Sequence, residues 1–270
     1  MDYQLAVIGG GAMGEAITAG AVKSGLYSPE KIGVGEPLPA RRDYLQEKYR
    51  VRVTPDNLSL VLQAPTIVMA VKPHLFFDAL GPFGDQMVSG QLLISVAAGI
   101  TLSDMEEFVS PGVAVVRVAP NTPCLVGKGA TAIAYGSGVT EEHREKVIGL
   151  FQSLGLTVEV PEKYLNAITG LSGSGPAYVY LFLETLIEAG VRVGLPRELS
   201  RQLTLQTVFG SVAMAQETGQ HPAELKEMVT SPGGTTAAAL EVLEAGAFRG
   251  QLLGAVVKAF QRAEELSRNQ

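Results

Sequence analysis

The amino-acid sequence predicts an α/β protein with an N-terminal doubly wound sheet and a C-terminal domain made only of helices. Short apolar runs alternate with helical stretches through the first half, a pattern typical of βαβ units in a sheet covered on both faces. After about Pro161 the strand signals stop and helical periodicity takes over. These two observations give two predicted domains, residues 1–160 and residues 161–270.

The first domain contains a series of predicted strands, several of which are continuous apolar runs. In chain order they are Leu5–Gly9, Lys31–Gly35, Val51–Val53, Thr66–Val71, Leu92–Val96, Val113–Ala119 and Thr131–Ala134. Predicted helices lie between them at Ala12–Ser24 and Pro39–Lys48, and a third begins at about Leu75. Strands that alternate with helices favour crossover connections, so we expect a parallel sheet.

Four helices are predicted in the second domain. They are Ala177–Val193, Glu198–Glu217, Ala237–Ala245 and Leu252–Leu266. In the last of them Leu252, Val256, Ala259 and Ala263 recur at helical spacing. Helices this apolar need a partner surface, and we expect it to be a second copy of the chain, which predicts a homo-oligomer. A monomeric bundle packed against the first domain is the alternative.

Composition limits the partners of the protein. The chain has 270 residues with 21 Lys and Arg against 27 Asp and Glu, a formal net charge of −6. This acidic balance argues against nucleic-acid binding, which needs a basic surface. The longest apolar runs fall short of the roughly 18–20 residues that span a bilayer, so no membrane partner is expected.

The few cysteines and histidines limit the chemistry and the location. Cys124 is the single cysteine, and the start of the chain lacks the character of a signal peptide. Both observations are typical of a cytoplasmic protein. His74, His143 and His221 are far apart and lack the spacing of metal ligands, so no metal cofactor is expected.

A glycine-rich string at the end of the first strand predicts a dinucleotide site. Gly9, Gly11 and Gly14 occupy the fixed positions of G-x-G-x-x-G between a predicted strand and a predicted helix. Glycine there permits a tight turn and close approach of a pyrophosphate, which faces the positive end of the helix. A glycine-rich turn without a ligand is the alternative, but its place at the first strand of a βαβ series favours the cofactor.

The second strand is followed by Glu36, near the place where an acidic side chain meets the adenosine ribose of a bound dinucleotide. A carboxylate accepts hydrogen bonds from the ribose hydroxyls and repels a 2′-phosphate, which favours NAD. Arg41 and Arg42 follow and could reach such a phosphate, although two arginines at a helix start are more often solvated. The sequence therefore leans to NAD and leaves NADP open.

Other strand ends carry residues suited to the same crevice. Lys72 closes a strand and could meet the cofactor or an anionic substrate, with a solvated lysine as the alternative. The small residues at Ser95–Gly99 would let a flat nicotinamide ring lie against the backbone. Asn121 lies on a proline-rigid loop at another strand end. Arg117 lies inside an apolar run, where we expect a structural charge partner.

Two glycine-rich loops precede helices in the second domain. In the segment 169–176, Ser174 is predicted to N-cap the following helix. The segment 230–236, TSPGGTT, brings hydroxyls and glycines without net charge to a helix N-terminus, which suits a carboxylate. A plain capped turn would need only Thr235 or Thr236, so we expect an anion site here.

Six segments between Ala6 and about Leu266 resemble pyrroline-5-carboxylate reductase. They read GGGAMGEAI, MAVKPH, SVAAGI, VVRVAPNTPCLVGKGATAIA, TGLSGSGPAYVY and MVTSPGGTTAAALEVLE. Members of that family reduce L-1-pyrroline-5-carboxylate to L-proline with NADPH or NADH, the last step of proline synthesis. The resemblance implies a Rossmann-type cofactor domain, a C-terminal helical dimerisation domain, and dimers often assembled further into a decamer.

The resemblance also implies roles for individual residues. Cofactor-binding positions would be Gly9, Gly11, Ala12, Met13 and Gly14 at the pyrophosphate, Glu36 and Asn57 near the adenosine, and Ala70, Val71, Lys72 and Ala97 beside the nicotinamide. Substrate-binding positions would be Glu162, Ser231, Gly233, Gly234, Thr235 and Thr236. Thr236 would be the catalytic residue, with its hydroxyl on the ring nitrogen. Some NADPH-using members carry a small polar residue at the position of Glu36, so the resemblance leaves both cofactors open.

Two other function classes fit parts of the sequence. A dehydrogenase of small hydroxy acids would share the cofactor domain and an active-site lysine, and a non-catalytic dinucleotide sensor would share the cofactor domain. The TSPGGTT segment argues against both. A six-membered cyclic imine, such as a piperideine carboxylate, stays open as a side substrate.

Overall fold

An eight-stranded sheet organises the first part of the chain in the computed structural model, which describes residues 2–268. Within these residues the strands are β1 (Leu5–Ile8), β2 (Ile32–Gly35), β3 (Arg52–Thr54), β4 (Thr66–Met69), β5 (Leu92–Ser95), β6 (Ala114–Ala119), β7 (Gly129–Tyr135) and β8 (Gly155–Glu159). Their order across the sheet is β3-β2-β1-β4-β5-β6-β7-β8. The order reverses beside β1, and in open α/β sheets ligands bind outside the carboxyl ends of the strands at such a point.

The sheet is parallel from β3 to β6, as the alternating pattern predicts, but β7 runs antiparallel to β6. The connection between them, residues 120–128, contains only the short 3-10 turn Thr122–Val126. A parallel pair needs a crossover of a dozen or more residues, so this shorter connection turns the chain back on itself. Strand β8 pairs parallel with β7 after a helical crossover.

The helices in the described part of the chain surround the sheet and then form the second half. They are α1 (Ala12–Lys23), α2 (Pro39–Tyr49), α3 (Asn57–Val61), α4 (Phe76–Leu80), α5 (Leu102–Phe108), α6 (Glu141–Gln152), α7 (Leu165–Ile168), α8 (Gly175–Arg192), α9 (Arg197–Thr218), α10 (Pro222–Met228), α11 (Thr235–Ala245) and α12 (Phe248–Arg268). The sequence pattern did not predict β8 or the helices α3, α5, α6, α7 and α10. Strand β8 is partly exposed and α10 has no buried residue, so neither carries a run of core side chains.

Alternate side chains of the central strands enter two apolar clusters, one on each face of the sheet. Leu5 and Val7 of β1 belong to one cluster, and Ala6 and Ile8 belong to the other. All four residues of β1 are buried. Burial on both faces explains why the central strands are continuous apolar runs rather than alternating ones.

The chain divides into two compact units. The first consists of the described residues through Ser174 together with those from Lys258 onward, and the second is Gly175–Val257. In the second unit Ser200 of α9 donates its hydroxyl to the Ile187 carbonyl of α8 at 2.8 Å. A Cβ on Gly190 would collide with Ser200, so the glycine lets the two helices approach closely.

The second unit leaves many large apolar side chains exposed on its own surface. Phe209 is 67% exposed and Leu181 is 65% exposed, and no residue of α8 is buried. So many large exposed apolar side chains within one unit are typical of an interface rather than of a monomer. It therefore supports the expectation of a homo-oligomer over that of a monomeric bundle.

None of the helices described between residues 2 and 268 is long and apolar enough to cross a membrane. The same residues contain no group of three or more His, Cys, Asp or Glu side chains that could hold a metal ion.

Candidate functional site

The glycine-rich turn after β1 is packed tightly on one side and open on the other. Gly9 has φ +103°, and a Cβ there would lie 2.7 Å from the Ala70 carbonyl oxygen. A Cβ on Gly14 would collide with the Gly9 carbonyl oxygen. Gly11, in contrast, has no described atom within 4 Å of its ideal Cβ position. The protein's own packing therefore requires Gly9 and Gly14, whereas Gly11 keeps a space that a ligand can approach.

Helix α1 begins at this open glycine. Gly11 is the N-cap residue in extended backbone, and no described side chain caps the helix. The first N–H groups of a helix have no partner within the helix, and they attract anions together with the positive end of its dipole. Ala12 and Met13 contribute such groups next to the open side of Gly11. These residues fit the pyrophosphate of a dinucleotide.

Glu36 follows β2 and lies against the glycine-rich turn. Its Oε2 accepts a hydrogen bond from the Gly10 N–H at 2.9 Å, and its Oε1 accepts one from the Leu38 N–H at 3.0 Å. The residue is only 7% exposed. Asn57 lies beside the last residue of β2, because its Oδ1 occupies the place that a Cβ on Gly35 would take. Both residues expected near the adenosine therefore lie beside the carboxyl end of β2.

Arg41 and Arg42 have internal partners. Arg41 donates from Nε to the Gly10 carbonyl oxygen at 2.6 Å and pairs through its guanidinium with Glu15. Arg42 donates to the carbonyl oxygens of Glu36 and Pro37 at 2.9 and 2.7 Å. Both arginines are half-buried and bind the backbone around the cofactor loop, so neither is a freely solvated side chain.

Glu15 of α1 is a functional candidate that the sequence analysis missed. Besides Arg41, its carboxylate accepts hydrogen bonds from Tyr49 at 2.7 Å, Tyr44 at 2.9 Å and Lys48 at 3.0 Å, all on α2. Burial of Glu15 raises its pKa, but the hydrogen bonds from Tyr49, Arg41, Lys48 and Tyr44 outweigh burial and lower the pKa to about 2. A signal was present: an acid directly after the glycine motif, and basic and tyrosine residues three or four apart on α2.

This depressed pKa predicts a pH-dependent contribution to stability. Because the Glu15 pKa is lower in the folded than in the unfolded chain, the stabilisation is complete above about pH 5 and is lost as the pH falls towards 2. Glu15→Gln should reduce the free energy of unfolding by up to about 3 kcal/mol at pH 7, and the difference from wild type should shrink at pH 4 and again at pH 3. Urea unfolding at each pH measures it. A difference that stays constant with pH would contradict the assignment, and Glu47→Gln on the exposed side of α2 is the control.

The residues expected beside the nicotinamide lie at neighbouring strand ends. Ala70 and Val71 follow β4 and lie against Gly9. A Cβ added to Gly9 would lie 3.1 Å from a Val71 methyl group. Ala97 follows β5, is buried, and donates its N–H to the Ser95 hydroxyl at 3.2 Å. Lys72 is exposed and begins a 3-10 turn. The structure therefore brings Ala70, Val71 and Ala97 to the crevice at the carboxyl ends of β1, β4 and β5.

Glu162, expected near the substrate, is tied to the end of the sheet. Its Oε1 accepts hydrogen bonds from the Leu102 N–H at 2.8 Å and from Arg117 at 3.1 Å. Arg117 also donates to Asn166 Oδ1 at 3.0 Å and is buried. The expectation of a structural charge partner for Arg117 is confirmed, and Glu162 is that partner. Its other oxygen, Oε2, has no hydrogen-bond partner among the described residues.

Removing the Glu162 carboxylate should destabilise the first unit. Glu162→Ala leaves the buried Arg117 guanidinium without its ion-pair partner, which costs about 3 kcal/mol in the free energy of unfolding. Glu159→Ala breaks the exposed pair with Arg144 and should cost less than about 1 kcal/mol. Denaturant unfolding of both variants makes the comparison, and equal small losses would show that the Arg117 pair does not stabilise the fold.

The first glycine-rich loop of the second half differs from the prediction. Thr169–Gly173 forms a π-helical turn, and the Ser174 N–H donates to the Thr169 carbonyl oxygen at 2.8 Å. The prediction that Ser174 N-caps the next helix is wrong, because Ser174 has helical backbone angles and an N-cap residue does not. Asn121 donates to both the carbonyl and the hydroxyl oxygen of Ser172 at 3.2 Å, which ties the loop after β6 to this turn.

The TSPGGTT loop ends in a helix whose N-terminus is open. Gly234 is the N-cap residue of α11, and neither Thr235 nor Thr236 provides a side-chain cap. Within residues 2–268 the Thr236 hydroxyl has no hydrogen-bond partner. Gly233 has φ +67°, and a Cβ on Gly234 would lie 2.5 Å from the Ser231 hydroxyl oxygen. The glycines therefore allow a tight turn that leaves amide and hydroxyl groups available, the arrangement expected for a carboxylate site.

Comparison with known proteins covers both halves of the chain. Residues 162–266 match a family model described as pyrroline-5-carboxylate reductase dimerisation, and residues 4–99 match one described as NADP oxidoreductase, coenzyme F420-dependent. The pyrroline-5-carboxylate reductase of Synechocystis is 45% identical over 268 residues, which cover 99% of this chain and 100% of that protein. The Escherichia coli protein of the same name is 35% identical over 269 residues and covers both chains fully.

Solved structures agree with these relatives. The Plasmodium falciparum pyrroline carboxylate reductase, solved with NADP bound, has a TM-score of 0.91 and 35% identity, with 98% of each chain covered. The pyrroline-5-carboxylate reductase of Coxiella burnetii has a TM-score of 0.89 and 37% identity, with 99% of each chain covered. At this identity and coverage, the chain belongs to the pyrroline-5-carboxylate reductase family.

Proposed function

We propose that the protein is an NAD(P)H-dependent oxidoreductase that reduces the cyclic imine L-1-pyrroline-5-carboxylate to L-proline, the last step of proline biosynthesis. Membership of the family over the whole chain supports this activity. The observation that carries it is the open N-terminus of α11, where the TSPGGTT loop leaves the Thr236 hydroxyl unused by the described chain. A hydroxy-acid dehydrogenase or a dinucleotide sensor would not need this loop.

The cofactor site is proposed at the glycine-rich turn. Gly9, Gly11, Ala12, Met13 and Gly14 would hold the pyrophosphate of NADPH or NADH, and the bound nicotinamide supplies the hydride. Glu36 and Asn57 would lie near the adenosine, and Ala70, Val71, Lys72 and Ala97 near the nicotinamide, as the family resemblance implies. The open side of Gly11 and the free first turn of α1 support this assignment. No metal takes part in the proposed reaction.

The substrate carboxylate is proposed to bind at the loop before α11 in the second unit. Glu162 of the first unit is proposed separately as a substrate-binding residue, on the family resemblance. The segment that contributes Ser231, Gly233, Gly234, Thr235 and Thr236 would bind the carboxylate through its free amide groups at the positive end of the helix. The Gly234 N–H closes the turn by donating to the Ser231 carbonyl oxygen at 3.0 Å. The carboxylate contact would orient one face of the ring. The Thr236 hydroxyl would bind the ring nitrogen and serve as the catalytic group, with the proton coming from water or from a substrate that is already protonated. Glu162 would use its second carboxylate oxygen, because the Leu102 N–H and Arg117 both donate to the first.

Turnover tests the proposal directly. The purified protein should consume NADH or NADPH when it is given pyrroline-5-carboxylate, with one proline formed for each cofactor oxidised. A six-membered piperideine carboxylate, assayed in parallel, tests the side substrate. A folded protein that binds the cofactor but forms no proline would reject the proposal.

The second unit supports a proposal for the assembly of the protein. The exposed apolar helices of the second unit and the match to a dimerisation family support a homodimer, which we propose assembles further into a decamer. Light scattering after size-exclusion chromatography distinguishes monomer, dimer and decamer. We place the functional boundary between a cofactor domain, residues 1–160, and a dimerisation and substrate domain, residues 161–270, and we propose a cytoplasmic location.

A further inference from the structure

We propose that this chain prefers the dinucleotide without a 2′-phosphate, and that Glu15 contributes to the preference by holding the Arg41 guanidinium in an ion pair for which that phosphate would have to compete. The inference rests on the proposed function and concerns the adenosine end of the same site. Glu36 would act on the ribose directly. Glu15 would act as a positioning residue, because its effect reaches the cofactor through Arg41.

Glu36 is fixed where it can accept ribose hydroxyls. Two backbone N–H groups, those of Gly10 and Leu38, each occupy one of its carboxylate oxygens. An ionised carboxylate offers about four acceptor positions, so about two stay available for hydroxyl donors. A phosphate monoester carries a charge of about −1.5 to −2 at pH 7. A phosphate in the place of the ribose 2′-hydroxyl would face the Glu36 carboxylate, and the two negative groups would repel each other.

The basic groups near Glu36 already have partners within the protein. Arg41 pairs with Glu15 and donates to the Gly10 carbonyl oxygen, so moving it would leave a buried carboxylate with fewer donors. Arg42 donates to two carbonyl oxygens after β2. Lys48 Nζ also forms an ion pair with Glu15 Oε1 at 3.0 Å. A 2′-phosphate would therefore compete with Glu15 for the charge of Arg41, and it would meet only the guanidinium donors that these contacts leave free.

Arg41 has a different role from that of a phosphate ligand. It joins three elements of the site, because it contacts Glu15 on α1 and Gly10 in the glycine-rich turn while it lies on α2. Through Gly10 it is linked to Glu36, which accepts the N–H of the same residue. Arg41 therefore holds the turn for either dinucleotide, and its loss should weaken binding of both to a similar extent.

Equilibrium binding of NADH and NADPH, measured by calorimetry without substrate, tests the proposal. Wild type should bind NADH about tenfold or more tightly than NADPH, a difference of about 1.4 kcal/mol. Glu36→Gln should remove most of this difference by tightening NADPH. Glu15→Gln keeps an acceptor for the tyrosines but weakens the hold on Arg41, and it should tighten NADPH about threefold. Glu47→Gln removes the same charge from the exposed side of α2 and should change neither dissociation constant.

Arg41→Ala separates the two roles of this arginine. We expect NADH and NADPH to weaken by similar factors. A loss confined to NADPH would identify Arg41 as a phosphate ligand and overturn the proposal, as would a wild-type protein that prefers NADPH or binds both equally. If Glu36→Gln does not fold, the wild-type ratio and Arg41→Ala still decide. A folded wild type that binds neither dinucleotide would instead reject the proposed function.

Discussion

Thr236→Val is expected to lower kcat about a hundredfold while the dissociation constant for the cofactor stays unchanged. Valine keeps the volume and branching of threonine, so the start of α11 should fold as before. The lost hydroxyl is the group proposed on the ring nitrogen, and a positioned proton-transfer or hydrogen-bonding group typically contributes about 10²–10⁴-fold. Steady-state kinetics with saturating cofactor measure the change in kcat.

Two variants control for damage to the loop. Thr236→Ser restores a hydroxyl and should recover most of the activity. Thr230→Val removes a hydroxyl from the same loop that is bonded to the Lys226 carbonyl oxygen, and it should leave kcat within a few-fold of wild type. A Thr236→Val enzyme with wild-type kcat would remove Thr236 from the chemistry.

Gly11→Ala should weaken dinucleotide binding about a hundredfold and leave the fold intact. The ideal Cβ position meets no described atom within 4 Å, and φ −66° with ψ −171° is open to alanine. The free energy of unfolding should therefore change by less than about 1 kcal/mol. The bound pyrophosphate is the group that the added methyl would meet, because the second glycine of the motif lets the backbone approach it.

Calorimetric titration of Gly11→Ala with both dinucleotides makes this measurement. Gly138→Ala is the matched control, because a Cβ there would meet only ordinary contacts at 3.8 Å in a turn after β7. It should bind the cofactor like wild type. If Gly11→Ala also binds both dinucleotides like wild type, the open side of the turn does not hold the pyrophosphate.

Local patterns in the sequence predict the centre of this fold better than its edges. Strands β1, β4 and β5 are buried on both faces, so each appears as a continuous apolar run that periodicity detects. Strand β8 is partly exposed and carries no such run. The direction of β7 depends on the length of its connection to β6, which alternation of strands and helices does not encode.

The candidate site also has a part that local sequence patterns predict and a part that they do not. The glycine motif was predictable because only glycine fits at Gly9 and Gly14. A Cβ there would collide with backbone of the turn itself or of the residue after β4. The Glu15 cluster joins residues 26 to 34 positions apart, and the Arg117–Glu162 pair joins residues 45 positions apart. Such partners become visible only when helices and strands pack together. The misassigned cap at Ser174 has another cause, since a π-helical turn places that serine inside helical backbone.

Transfer of a deuterium label from cofactor to product tests the proposed hydride transfer itself. The protein is incubated with pyrroline-5-carboxylate and nicotinamide dinucleotide deuterated at C4, first on one face of the ring and then on the other, and the proline is analysed by NMR. We expect one deuterium at Cδ of proline from one of the two labelled cofactors, because that carbon is the imine carbon of the substrate. Proline without deuterium from either cofactor, or no proline from a protein that binds both ligands, would contradict it.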